Sequence, residues 1–245
     1  MKYLAVTTCN GDQWKTYGSR MVDSFLEYWD KSVELLLYAE GWGSNDLYEA
    51  APWLADWKKK YRDVRYQGGR DRRDYRHDAV RFVHKIAAIG AAAECSSRCD
   101  VLVWVDADTV THAPVTEDWL IELFPEPAEI AWLDRDRTYP ECGFVMFRLP
   151  QTSELIRTLV KAYRNGAVFL LPEWHDSYVI QHYVKLLKIK TQSLSGPVGR
   201  SHTGHPFASS LLSSRMDHLK GEIRKQLGRT PKSERRIKDG TEYWQ

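Results

Sequence analysis

At 245 residues the chain is long enough for one sizeable core, and 43% hydrophobic with 28% charged residues describes a folded globular protein rather than a disordered one. A formal charge of +2 is close to balance and names no partner by itself. No stretch approaches the length of a membrane span, and MKYLAVTT lacks the apolar core and cleavage site of a signal peptide, so a cytoplasmic protein with no membrane partner is expected.

The first predicted strand is KYLAVTT, followed by a polar loop from Cys9 to Thr16. Met21, Val22, Phe25 and Tyr28 then recur at helical spacing. VELLLYAE reads as a short buried strand, Leu47 to Tyr61 as a helix, and the polar segment from Gln67 to Arg76 as a mobile loop. Asp78 is placed to cap a helix bearing Val80, Phe82, Val83, Ile86 and Ile89. VLVWV follows as a central strand, and Thr116 opens a helix with acids in its first turn. EIAWL and GFVMF are further strands, Ser153 to Asn165 and Ser177 to Leu187 further helices, and KIKTQSL a late strand before loops and short helix. Strands alternating with helices predict an α/β fold with a sheet layered between helices. The four cysteines, Cys9, Cys95, Cys99 and Cys142, contain no CxxC pair and read as reduced thiols.

The strand VLVWV runs straight into Asp106 and Asp108. Carboxylates are among the least buried residues unless paired or bound to a metal. Residues two apart in an extended chain point the same way, so both carboxylates would converge on one cationic partner. Ligands of open α/β sheets bind beyond the carboxyl ends of the strands, where this pair and the loop after KYLAVTT both lie. Oxygen ligands favour Mg²⁺ or Mn²⁺, and an added histidine tilts the choice toward Mn²⁺.

VLVWVDADT resembles the Asp-x-Asp strand of nucleotide-sugar glycosyltransferases of the GT-A fold, whose central sheet is mostly parallel and flanked by helices. YRHDAVRFVHKIAAI is similar to the helix before that strand, YPECGFVMF to the loop and strand bordering the donor sugar, and EWHDSYV to an acidic motif facing the acceptor. His218-Leu-Lys-Gly221-Glu-Ile-Arg224 resembles the His-x-x-Gly-x-x-Lys of family 8 glycosyltransferases, with Arg224 at the lysine position and Lys220 and Lys225 nearby. The resemblance covers about residues 1–228, taken as one domain, and leaves 229–245 as a basic tail containing Lys232, Arg235, Arg236 and Lys238.

The resemblance implies that Asp108 and His218 hold the metal, with His202 and His205 as rivals of His218, and that Asp106 binds the donor ribose, the metal, or both. It implies donor contacts from Thr7, Thr8, Tyr17, Arg81, Lys85, Ala107, Gly143, Lys220, Gly221 and Arg224; Tyr17 is either a base-stacking ring or a core aromatic. Glu141 and Asp176 are the candidate catalytic acids, Asp176 either as general base or as a group orienting the acceptor, alongside Trp174 and His175. The expected activity is metal-dependent transfer of a sugar from a nucleotide diphosphate, UDP by resemblance, to a hydroxyl of a glycan, protein, small molecule or hydroxylated DNA base. Two other readings stand beside it. A sugar nucleotidyltransferase would carry a glycine-rich basic loop after the first strand, whereas TTCNGDQWK has one glycine; a non-catalytic nucleic-acid or glycan binding module rests on the basic tail and the aromatics.

Overall fold

The computed structural model describes residues 1–64, 74–94, 99–201, 205–237 and 242–244. Most of the expected loop at 67–76, Cys95, His202 and Lys238 lie outside the described residues. Strand β1 (Tyr3–Cys9) is buried along its whole length. The loop expected after it is helical instead: Asn10 and Gln13 form a reciprocal capping box that opens α1 (Gly11–Gln13), and a π-helical turn over Trp14–Gly18 leads into α2 (Ser19–Tyr28). Strand β2 (Glu34–Ala39) is an edge strand with Glu34 exposed and Leu35 to Leu37 half-buried, not the buried strand its apolar run suggests. The helix expected over Leu47 to Tyr61 is broken into α3 (Leu47–Ala50) and α4 (Trp53–Tyr61), because Pro52 cannot continue a helix.

Helix α5 (Ala79–Glu94) begins one residue after Asp78, whose carboxylate accepts the Arg81 amide at 3.2 Å as a cap should. Strand β3 (Val101–Val105) is fully buried, and the short β4 (Thr109–Thr111) follows the aspartate pair. Thr116 caps α6 (Glu117–Leu123) through the Trp119 amide at 3.2 Å. Then come β5 (Ile130–Leu133), β6 (Glu141–Arg148), α7 (Ser153–Arg164), α8 (Asp176–Leu186), β7 (Thr191–Ser193), α9 (Gly196–Arg200), β8 (Met216–His218) and α10 (Glu222–Leu227).

The main sheet runs β2-β1-β3-β6-β5-β7, all parallel in direction except β6, which pairs antiparallel with both neighbours. Alternation along the strands divides the core in two. Leu4, Val6, Leu102 and Trp104 face one cluster with α5, α7 and α8. Tyr3, Ala5, Val101, Val103 and Val105 face the other with Met21, Phe25 and Leu120. A sheet covered on both faces explains the near-continuous apolar runs of β1 and β3.

A second ribbon, β4 paired antiparallel with β8, is not foreshadowed by any hydrophobic pattern. Residues beyond 228 are not a detached tail. Arg235 Nε donates to the Ala208 carbonyl at 3.1 Å and its guanidinium lies over the Trp244 ring, while the Arg236 amide donates to Ser209 Oγ at 2.8 Å. Among those residues no helix is long and apolar enough to cross a membrane.

Candidate active site

Asp106 and Asp108 meet through a turn rather than through extended alternation. The Thr109 amide donates to the Asp106 carbonyl at 3.0 Å, and the Asp106 amide to the Gly143 carbonyl at 2.8 Å. Antiparallel pairing sets Thr109 opposite His218, which brings the histidine to the same turn from a hundred residues away in sequence. His218 Nε2 lies 3.0 Å from Asp108 and 3.6 Å from Asp106, and its Nδ1 lies 3.4 Å from Glu141 Oε1. Asp106, Asp108 and His218 each present one ligand atom, all within 4.8 Å of one another. Two hard oxygens and one imidazole nitrogen fit Mn²⁺ or Mg²⁺.

Gly143 makes room for this histidine. A Cβ there would stand 2.7 Å from the His218 ring and 2.9 Å from Glu141 Oε1, while the Gly143 amide donates to the same carboxylate at 3.0 Å. Glu141 Oε2 is buried with no hydrogen-bond partner, an acceptor left unsatisfied beside Oε1.

Lys85 ties the first aspartate to the start of α8. Its ammonium lies 2.9 Å from Asp106, 2.5 Å from Asp176 and 2.9 Å from the Cys142 carbonyl. Trp104 Nε1 adds a 2.7 Å bond to Asp106. Burial alone would favour neutral forms, but the ion pairs outweigh it: Lys85 is held well above its ordinary value, and Asp108 and Asp176 well below theirs. His218, buried between Asp108 and Glu141, is pushed up to about 10 against its own desolvation, and Glu141 falls to about 2. Asp106 moves the other way, raised by burial beyond the pull of Lys85 and His218. An Asp176 carboxylate locked to Lys85 is a weak proton acceptor.

The remaining expected residues divide. Lys225, not Arg224, reaches the aspartate pair at Asp108: its ammonium is 3.0 Å from that carboxylate and 4.1 Å from the centre of the Tyr17 ring. Arg224 turns away to Glu234 and the Lys220 carbonyl. Lys220 is exposed, and Gly221 precedes α10 at φ +86°, a conformation suited to glycine. Ala107 is buried within the turn. Thr7 is buried with its hydroxyl unpaired, and Thr8 donates to the Tyr38 carbonyl at 2.9 Å. Arg81 is exposed over the Phe82 ring and is not drawn into the cluster. Trp174 is a core residue at 4% exposure, donating from Nε1 to the Leu171 carbonyl, so its faces are not open to an acceptor sugar. His175 is buried beside Tyr75 and Tyr139 and lies 2.9 Å from Glu173. His205 lies 5.9 Å from His218, ring to ring, and 3.3 Å from the Thr230 hydroxyl, beside the Asp106–Asp108–His218 cluster rather than in it.

Sequence reading passed over a second polar cluster at the ends of β1 and β2. Lys58 Nζ lies 2.9 Å from His84 Nε2 and donates to Tyr48 Oη, and His84 is 3.4 Å from Glu40, which also takes the Thr8 hydroxyl. An ammonium donating to Nε2 requires a neutral ring, and burial followed by the Lys58 charge lowers His84 to about 4. Below pH 6.5 the unfolded chain takes a proton that the folded ring refuses until about pH 4. Stability from this group is thus present above pH 6.5 and declines by about 3 kcal/mol as pH falls to 4. Glu40, raised by burial, acts in the opposite sense. Denaturant unfolding of His84→Gln beside the parent isolates the histidine: the variant should show a flatter decline over that window, and parallel curves would contradict the neutral assignment.

No family model matches the chain, and no curated protein matches it in sequence. Its fold is shared with solved structures. The crystal structure of a glycosyltransferase involved in the glycosylation of the major capsid of PBCV-1 aligns with 93% of this chain and 100% of its own, at a TM-score of 0.51 and 9% identity. The apo structure of the bifunctional glycosyltransferase WbbM aligns with 90% of this chain at a TM-score of 0.51 and 14% identity. The match takes in only 46% of WbbM, so this chain corresponds to less than half of that protein. At such identities the likeness is one of fold: a GT-A-like α/β sheet flanked by helices.

Proposed function

We propose that the chain is a metal-dependent glycosyltransferase that moves a sugar from a nucleotide diphosphate, UDP above others, to a hydroxyl acceptor. The observation that carries this reading is the meeting of Asp106, Asp108 and His218 at the carboxyl end of β3, with Lys85 and Lys225 on either side. In the transfer, the bond between the sugar's anomeric carbon and the diphosphate breaks, a bond to the acceptor oxygen forms, and the acceptor proton is released. A divalent ion would supply charge stabilisation to the departing diphosphate. Lys225 supports the same task as a point charge free to move from Asp108 to a phosphate. Tyr17, beneath Lys225, and Thr7 and Thr8, at the end of β1, are the groups proposed to face the nucleoside. Gly143 and Glu141 border the sugar, and Asp176, at the start of α8, orients the acceptor.

The deciding assay is hydrolysis and binding of UDP-sugars with and without Mn²⁺. Failure of every nucleotide sugar to bind or turn over with metal present would remove the proposal. Pyrophosphate release from a nucleoside triphosphate and a sugar 1-phosphate would instead mark a nucleotidyltransferase.

Lys225 and Arg224 separate in a second measurement. Lys225→Ala should weaken UDP binding about tenfold, the scale of one lost charge-assisted contact. Arg224→Ala should lose its Glu234 pair with little effect on UDP. Calorimetric titration of both variants checks this, and the reverse ranking would return the phosphate role to Arg224.

A further inference from the structure

Asp108 and His218 sit at one end of the β4–β8 ribbon, whose strands have only three residues each. Two strands this short, forming a two-stranded sheet among the described residues, are marginal on their own. Backbone bonds extend the ribbon slightly, from the Leu219 amide to the Asp108 carbonyl and from the His112 amide to the Arg215 carbonyl, both at 2.8 Å. Helix α2 holds β4, where Trp29 Nε1 donates to the Thr111 hydroxyl at 2.9 Å and Ser24 Oγ accepts the Thr111 amide at 3.1 Å, and the Phe207 ring lies beside His218; the carboxy-terminal segment adds a further restraint on β8.

Asp217 precedes His218 in β8, so their side chains leave the strand on opposite faces. The Asp217 carboxylate is wholly buried and accepts from the Thr230 amide at 2.6 Å, the Thr230 hydroxyl at 2.7 Å and the Tyr243 hydroxyl at 3.0 Å. Having given its proton to Asp217, the Thr230 hydroxyl has lone pairs left for His205 Nε2 at 3.3 Å, and His205 packs against the His218 ring. The Tyr243 ring stacks on His112 with centroids 4.0 Å apart and an angle of 7°, just past the end of β4. Trp244 Nε1 donates at 2.9 Å to the carbonyl of Ser213, which leads into β8. The segment thus touches β8 at Asp217, the chain just past β4 at His112, and the His205 ring that lies beside His218.

We propose that Asp217, Thr230 and Tyr243 are positioning residues that fix the rotation of β8 and thereby aim His218 at Asp108. The inference rests on the reading of His218 as a metal ligand and names the chain's own device for holding it there. A buried carboxylate is a costly fastener where an apolar side chain would fill the space, and its use is explained by directional bonds that fix one strand orientation. None of the three residues needs to touch the donor.

The test uses the full chain and three variants: Thr230→Val, Tyr243→Phe and the conservative Thr230→Ser. The first readout is the NMR signal of the His218 ring nitrogens without metal. The second is Mn²⁺ affinity by calorimetry without nucleotide sugar, and thermal unfolding is followed alongside. Thr230→Val and Tyr243→Phe should shift the His218 ring signals and weaken Mn²⁺ by about tenfold, the lower end of the effect of groups that hold metal ligands. Thr230→Ser should restore both. Ile156→Val, in the other core cluster, should lower the melting temperature without moving the ring signals. Parent-like ring signals in Thr230→Val and Tyr243→Phe would overturn the proposal, whatever happened to stability. A parent that bound no Mn²⁺ would defeat the metal reading, and the ring signals would still decide the strap.

Discussion

Asp108→Ala should abolish the Mn²⁺ dependence of UDP-sugar binding while leaving the protein folded. Changes to groups that merely support a metal ligand already weaken binding by about 10–100-fold, so removal of a ligand should exceed that range. Without the ion, the diphosphate would approach Asp106 and Glu141 with less cationic charge between them. The fold should persist because His218 keeps its contact with Glu141 at 3.4 Å, and Lys225, at the margin of the cluster, can turn to water. His218→Ala should give the same loss from the opposite strand of the ribbon. Titration of UDP with and without Mn²⁺, beside circular dichroism, measures both quantities. An Asp108→Ala protein that bound UDP with unchanged metal dependence would refute the assignment of this residue.

The sheet was legible because buried strands need apolar residues on both faces, which β3 displays throughout and β1 from Tyr3 to Val6. The aspartate pair was legible for the opposite reason: carboxylates at the end of such a strand require a cationic partner. The β4–β8 ribbon left no such mark. TVT and MDH are too short to show alternation, and their pairing depends on chain closure over about a hundred residues. The choice between Arg224 and Lys225 was equally out of reach. One residue turns a helix by about 100°, so the start of the six-residue α10 at Gly221 decides which cation faces Asp108. Trp174 misled because a tryptophan near an acid can stack on a ligand or fill a core. Its burial is fixed by contacts made elsewhere in the chain, including its amide bond to the Arg76 carbonyl at 2.6 Å.

Lys85→Met should cost the most stability of any change at the site, about 3–5 kcal/mol at neutral pH, the usual penalty for removing one partner from a buried ion pair. The ammonium serves two carboxylates, Asp106 and Asp176, and its side chain is only 11% exposed. Methionine fills similar space but leaves both acids facing each other without a cation. The penalty should shrink as pH falls. In the parent, Asp176 is held below its ordinary value, so its contribution is present above the unfolded carboxylate range and is lost on acidification. In the variant the Lys85 share of that depression is gone, and Asp176 takes up a proton more readily, so the two stability curves should converge toward pH 4 and below. Adding Asp176→Leu to Lys85→Met should recover part of the loss by removing the stranded charge. Denaturant unfolding of the parent, single and double variants at neutral and acidic pH supplies the comparison. A Lys85→Met loss under about 1 kcal/mol, or a gap that stays constant with pH, would mean that water rather than Lys85 satisfies these carboxylates. Lys85 would then act only on the donor, and its loss would appear in nucleotide-sugar binding alone.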